Sequence, residues 1–304
     1  MKTFIVTGAT QGLGLAIVKQ LSRNKDYKVI MAVRNVNKGQ ELAKSFGSNV
    51  KVVKLDLASL GDVVDFVNNW DTKLDGLINN AGVQFNQDDH FSKDGYEETI
   101  AVNHLGAFLL TYGLMKWFNA DCKVVFIGSG THNPELGSFG FRGSQYYRTD
   151  IKRLAAGEPI EPKDDGPQRN KDRYSTSKYL NTVIPRELVK RYPNLTVYSL
   201  DPGLMGDTEL FREQSRIYRL LLQKILIPLV GVFNSMISTT KKSADAACWI
   251  VTSDSIPINN GESVYCTKVA NDNIDWKSVH NEHECARAYD ETVEFLDDYI
   301  KKFK

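Results

Sequence analysis

Short, continuous apolar runs alternate with amphipathic stretches along the first half of the chain. FIVT (4–7) precedes the helical pattern of GLGLAIVKQLSRN, VIMAV (29–33) precedes NKGQELAKSF, and VKVVKL (50–55) precedes SLGDVVDFVNNW. GLI (76–78) leads into a long helical stretch around YEETIAVNHLGAFLLTYGLMKWF, and KVVFIG (123–128) follows. Runs that stay apolar, without alternating polar positions, predict strands buried on both faces, hence a parallel sheet covered by helices on each side. Right-handed crossovers make that a doubly wound α/β sheet.

The rhythm breaks at 131–172, where HNPELGSFGFRGSQYYRTD and GEPIEPKDDGPQRNKDR are rich in Gly, Pro and charge. A stretch this long predicts a functional loop insertion, with a helix resuming at Tyr174. LTVYSL (195–200), a helix near KSADAACWIVTSD, a short strand SVYC and a terminal helix from about His280 complete the pattern. No linker separates independent cores, so residues 1–304 read as one domain with an insertion at 131–172 and a substrate-side lid at 207–240. The most apolar segment, LLLQKILIPLVGVF (220–233), is broken by Gln223, Lys224 and Pro228 and is too short to span a membrane. Interfacial helix, partner surface and lid over an apolar substrate all stay open for it, as does a peripheral membrane contact.

Composition narrows the function classes. A formal charge of +1 across 304 residues gives no field to draw nucleic acid or an anionic membrane. Cys122, Cys248, Cys266 and Cys285 lie far apart without CxxC spacing, which predicts reduced thiols. His90, His104, His132, His280 and His283 form no ligand set, so no metal is expected. A strand opening almost at the first residue leaves no room for a targeting peptide, and a cytoplasmic location is the expectation.

Two stretches carry chemistry. TGATQGLG (7–14) joins the first strand to the first helix: Gly8 for a tight turn, Gly12 for close backbone approach to a pyrophosphate, Gly14 for helix packing, with Thr10, Gln11 and Leu13 between them. Where the second strand ends, VRN places Arg34, with Lys38 behind it. A guanidinium there suits a 2′-phosphate, so the expected cofactor is NADP(H). In RYSTSKYLN (173–181), Tyr174 and Lys178 are four apart and share a helix face.

With DLAS (56–59), NNAG (79–82), VNHLG (102–106), a strand ending in Ser129 and DPG (201–203), these motifs occur in the order of the short-chain dehydrogenases/reductases, which the chain resembles over most of its length. The resemblance implies a Rossmann-like sheet of seven strands. It implies a catalytic tetrad of Asn103, Ser129, Tyr174 and Lys178. It puts Asp56 and Leu57 at the adenine edge, Asn80, Ala81 and Gly82 along the adenosine ribose, and Pro202, Gly203 and Leu204 along the nicotinamide. Asp207 stands where the family commonly has threonine, which leaves Thr208, one later, for the carboxamide. The long interval from Ser129 to Tyr174 and the segment TELFREQSRIYRLL (208–221) resemble the branch of retinol dehydrogenases and light-dependent protochlorophyllide reductases. Reductases of that branch carry cysteines where Leu180 and Leu204 stand here, which argues against light-driven porphyrin reduction. The family habit implies a homodimer or tetramer.

The expected activity is hydride transfer between NADP(H) and a fairly apolar carbonyl or alcohol. Tyr174 would shuttle the proton, and Lys178 and the oxidised nicotinamide would lower the phenol's pKa. Ser129 would hold the substrate oxygen, and Asn103 would support a water chain. The aromatics Phe139, Phe141, Tyr146 and Tyr147 motivate an apolar small-molecule substrate. Reduction of a ring double bond, and NADP(H) sensing without catalysis, are the alternatives.

Overall fold

The structure is a computed structural model that describes residues 1–136, 140–163, 165–205, 237–266 and 276–304. Seven parallel strands form one sheet: β1 (Lys2–Thr7), β2 (Tyr27–Val33), β3 (Val50–Lys54), β4 (Leu74–Asn79), β5 (Phe118–Ile127), β6 (Thr196–Asp201) and β9 (Ser263–Tyr265). Their order is β3-β2-β1-β4-β5-β6-β9. A two-stranded pair, β7 (Leu204–Met205) with β8 (Ile237–Ser238), lies beside it. Strand order reverses between β1 and β4, so the crevice beyond their carboxyl ends is where such a sheet takes a ligand.

The apolar runs are continuous because each strand feeds two cores. In β1, Ile5 packs into one cluster while Phe4 and Val6 pack into the other. One cluster is closed by α1 (Gly12–Leu21), α2 (Val36–Ala43) and α8 (Thr240–Thr252). The other is closed by α3 (Leu60–Asn68), α5 (Gly106–Leu114), α6 (Ile151–Ala155), α7 (Gly166–Arg191) and α9 (Glu282–Ile300). Full burial of a leucine- or isoleucine-sized side chain contributes about 1.5–3 kcal/mol, so these two layers dominate the stability.

Two expectations change. The helix carrying Tyr174 begins at Gly166, capped by Asp165, whose side chain accepts from Gln168 N at 2.9 Å. The 131–172 stretch is also not all loop, since it contains α6 and the first turns of α7. Within it, Tyr146 is a core anchor rather than a substrate wall: its hydroxyl donates to Glu291 on α9 at 2.6 Å and its ring lies beneath the Arg287 guanidinium. Tyr147 is exposed, and Phe139 and most of 207–240 lie outside the described residues.

The long helix after β4 is interrupted. Glu98–Ile100 (α4) runs into a π-turn at Ala101–Leu105 before α5. The turn points neighbouring residues two ways, a common arrangement at functional sites. Asn103 turns toward α7, while the fully buried His104 reaches α9. Thr292 Oγ1 donates to Ala288 O at 2.6 Å, so His104 Nε2, 2.8 Å from that oxygen, must be the donor to it. Burial lowers the His104 pKa from 6.5 to about 3. The unfolded chain takes this proton as pH falls below 6.5 and the folded chain refuses it until about 3, so stability is complete above 6.5 and drains away through that window. The slope from this one group is about 1.4 kcal/mol per pH unit. Urea titrations of His104→Gln should show a flatter acid limb than the unmodified chain; identical limbs would refute the assignment.

Candidate active site

The glycine loop leaves β1 at Thr7 and folds against the end of β4. Gly8 and Gly12 have φ of +64° and +51°, a backbone that side-chain-bearing residues rarely adopt. A Cβ on Gly8 would lie 2.8 Å from Ala81 Cα, and one on Gly14 would strike Asn80 Nδ2 and stand 2.7 Å from Gly8 O. Thr7 pins the two segments together. Its Oγ1 accepts from Asn80 N at 3.0 Å and Ala81 N at 2.9 Å, while Asn80 Nδ2 donates to Thr7 O at 2.8 Å. Gln11, at the N-cap of α1, offers the helix no side-chain cap and instead accepts from Lys38 Nζ at 3.2 Å. Thr10 is half-buried at the tip of the loop, and Leu13 sends its side chain into the core. A side-chain-free cradle at an uncapped helix N-terminus fits a dinucleotide pyrophosphate. Gly14→Ala should therefore lower the melting temperature and weaken binding of a nicotinamide dinucleotide by at least about tenfold, from a clash worth more than 1.4 kcal/mol. A fluorescence titration beside a thermal melt checks this; unchanged affinity would contradict it.

Just beyond β3, Asp56 Oδ1 accepts from Ala58 N at 3.1 Å, and Leu57 is buried. A Cβ on Gly106 would collide with the Leu57 carbonyl, which explains the glycine closing VNHLG. Arg34 extends from the end of β2, and its Nη1 lies 3.5 Å from Glu98 Oε1.

At the other end the four tetrad candidates come together. Tyr174 and Lys178 are both buried, with Lys178 Nζ 5.5 Å from the phenol ring centroid. Lys178 Nζ donates to Ile127 O at 3.0 Å. Ser129 Oγ accepts from Thr131 N and Thr131 Oγ1, at 3.4 and 3.1 Å, and lies beside the Tyr174 phenol. His132 Nδ1 donates to Ser129 O at 2.6 Å and holds that turn. Asn103 Oδ1 accepts from Val83 N at 2.8 Å, and its Nδ2 donates to Val83 O and Ser177 Oγ, each at 3.0 Å. Its amide hydrogens are thus committed, and Asn103 braces the NNAG loop to α7. A Cβ on Gly82 would fall 3.3 Å from Asn103 Oδ1 and 3.5 Å from Lys178 Nζ, so the NNAG loop reaches both ends of the site.

Burial, followed by the charge of Asp201, pushes the Tyr174 phenol above its ordinary range, and the Ser129 hydroxyl only partly offsets this. Lys178 is itself desolvated. Burial brings that amine from 10.5 down to about 8, with Asp201 opposing. The site therefore holds a protonated phenol. Pro202 and Gly203 follow Asp201 in a tight turn: Asp201 Oδ1 accepts from Gly203 N at 2.8 Å, and Gly203 has φ +71°. Leu204 begins β7, half-buried. Thr208 lies outside the described residues.

The family model described as short chain dehydrogenase matches residues 2–140. The chain belongs to the short-chain dehydrogenase family. It is 35% identical to the chloroplastic protochlorophyllide reductase of Pisum sativum, over 71% of this chain and 59% of that protein. The Chlamydomonas reinhardtii protein of the same name is 33% identical over 72% and 59%. The chain thus spans about 59% of the length of these curated relatives. Among solved structures, an uncharacterized protein from Mycobacterium Paratuberculosis superposes with TM-score 0.70 at 23% identity, covering 100% of this chain and 95% of that one. The closed form of a serine dehydrogenase complexed with NADP+ gives 0.60 at 20%, covering 86% and 93%. These two likenesses concern the fold.

Within this family frame the structure adds residues that motif reading left without a role. Thr7 and Ser177 are two; the Ser177 hydroxyl also bonds Tyr174 O at 2.7 Å. Asp201 is a third, acting through its charge on both Tyr174 and Lys178. The fourth is a buried charge group on α7. Arg173 is completely buried, pairs with Asp89 at 2.6 Å and donates to the Gly157 carbonyl. Nearby Glu97 is raised by burial, with Arg173 opposing, and its Oε2 accepts from Ile100 N at 2.8 Å. DRYSTSK gives no sign that its arginine points inward.

Proposed function

We propose that the protein is an NADP(H)-dependent oxidoreductase that transfers a hydride between nicotinamide and the carbon of a fairly apolar carbonyl or alcohol. One observation carries the reading: a buried phenol, beside Ser129 and one helical turn from Lys178, shares a loop neighbour with a side-chain-free glycine cradle. Gly8, Gly12 and Gly14 would hold the pyrophosphate, Asn80–Gly82 the adenosine ribose, and Lys178 the nicotinamide ribose. When bound, the reduced nicotinamide supplies the hydride. Ser129 and Tyr174 orient the substrate oxygen, and their hydrogens meet the negative charge that develops on it. The Tyr174 phenol, kept protonated by burial, then releases its proton to that oxygen, which suits the reductive direction at neutral pH. Phe141, with ring centroid 6.0 Å from that of Tyr174, supports an apolar substrate. Cytoplasmic residence remains part of the proposal, to be tested by fractionation.

A panel of apolar ketones, aldehydes and enones, followed by NADPH absorbance, tests the function. Turnover of at least one class is expected. NADPH binding without turnover of any would favour the sensing alternative. A second reading, reduction of a ring double bond in protochlorophyllide, is favoured by the identity to the Pisum sativum protein. Light-dependent consumption of that added pigment would establish it. Leu180, at a position where that branch carries cysteine, is fully buried in the core.

A further inference from the structure

We propose that Glu98 is a specificity-determining residue that restrains the preference for NADPH over NADH by competing with the 2′-phosphate for Arg34. The inference rests on the cofactor reading above. Arg34 is the cation at the end of β2, where the two dinucleotides differ, and it is bound to a carboxylate contributed from α4. The two partners are not equally free. The Glu98 side chain is only 17% exposed and its backbone N donates to His90 O at 2.8 Å, whereas Arg34 is 66% exposed. The fold thus fixes the carboxylate, and the guanidinium reaches toward it. Lys38, the second cation of this corner, is likewise engaged, with its Nζ on Gln11 Oε1.

A 2′-phosphate taken by Arg34 must either displace Glu98 or share the guanidinium with it, and in both cases a fixed negative charge stays close to a phosphate bearing up to two. A ribose 2′-hydroxyl carries no such charge, and a carboxylate is an ordinary acceptor for it. Glu98 therefore disfavours the phosphorylated cofactor and leaves the other unopposed. The chain reads as NADP-preferring from Arg34 alone, yet this pair predicts appreciable use of both cofactors.

The test is equilibrium binding of NADPH and of NADH, each by fluorescence titration, to the unmodified chain, Glu98→Gln and Arg34→Gln. Glu98→Gln keeps the size of the side chain and removes its charge at a surface pair, so folding is preserved. We expect Glu98→Gln to tighten NADPH roughly three- to tenfold and leave NADH unchanged, with the gain shrinking at high salt. Arg34→Gln should weaken NADPH selectively. An unchanged or lowered NADPH-to-NADH affinity ratio in Glu98→Gln, with Arg34→Gln still impairing NADPH, would overturn the role of Glu98 alone. Failure of the unmodified chain to bind either cofactor would overturn the cofactor reading and this inference together.

Discussion

Tyr174→Phe is expected to lower turnover of any carbonyl the protein reduces by about 10²–10⁴-fold, the usual contribution of a positioned acid. The substitution removes one oxygen and leaves the ring, so its packing beside Phe141 survives and no cavity opens. Ser129 keeps both contacts from Thr131. NADPH affinity should therefore hold while kcat collapses, which separates a proton-transfer role from a binding role. A variant retaining full turnover would show that the buried phenol is only packing.

The second large effect has opposite signs for activity and stability. Lys178 is buried, and its pKa is lowered from 10.5 to about 8 by burial, with Asp201 opposing. Between those values the unfolded chain holds a proton that the folded chain has released. Stability from this group is therefore full above 10.5, falls as pH drops toward about 8, and stays reduced at neutral pH. The penalty is on the order of 3 kcal/mol, at about 1.4 kcal/mol per unit. Lys178→Met should relieve part of it. Ile127 O would still accept from Asn181 Nδ2 at 3.2 Å, so no carbonyl is orphaned. We expect the variant to be more stable by roughly 1–3 kcal/mol at pH 7 and to have lost nearly all turnover, the trade expected where a site is charged at the expense of the fold. Urea unfolding at about pH 7 and about pH 10 checks the sign, since the advantage should narrow as pH rises through the window. A variant destabilised at neutral pH would contradict the account.

The sheet was legible because its strands are buried on both faces, so the apolar runs at 4–7, 29–33 and 123–128 needed no partner to be recognised. The glycine loop and the Tyr174–Lys178 pair were legible because local spacing determines both. The start of α7 was not. Gly166–Arg173 buries Asn170, Asp172 and Arg173 against distant charges such as Asp89 and Arg142, and a polar face satisfied by remote partners leaves no apolar period in the sequence. The electrostatics of the site were hidden for the same reason. Tyr174 was expected to be acidified by Lys178 together with the oxidised nicotinamide, and the sequence gives no sign that its own burial and the charge of Asp201 act against that shift. The commitment of Asn103 to Val83 and Ser177 depends on a π-turn that no residue pattern announces. The pairing of Arg34 with Glu98 joins residues 64 positions apart in the chain.

The most direct test of the central claim follows isotope rather than absorbance. NADPH deuterated at the transferable position of the nicotinamide is incubated with the unmodified chain and an accepted apolar carbonyl, and the product is analysed by mass spectrometry and NMR. The account predicts one cofactor-derived deuterium on the former carbonyl carbon, and no such product with Tyr174→Phe over the same interval. Product whose new carbon-bound hydrogen comes from solvent, or equal deuterium transfer by the phenylalanine variant, would contradict it.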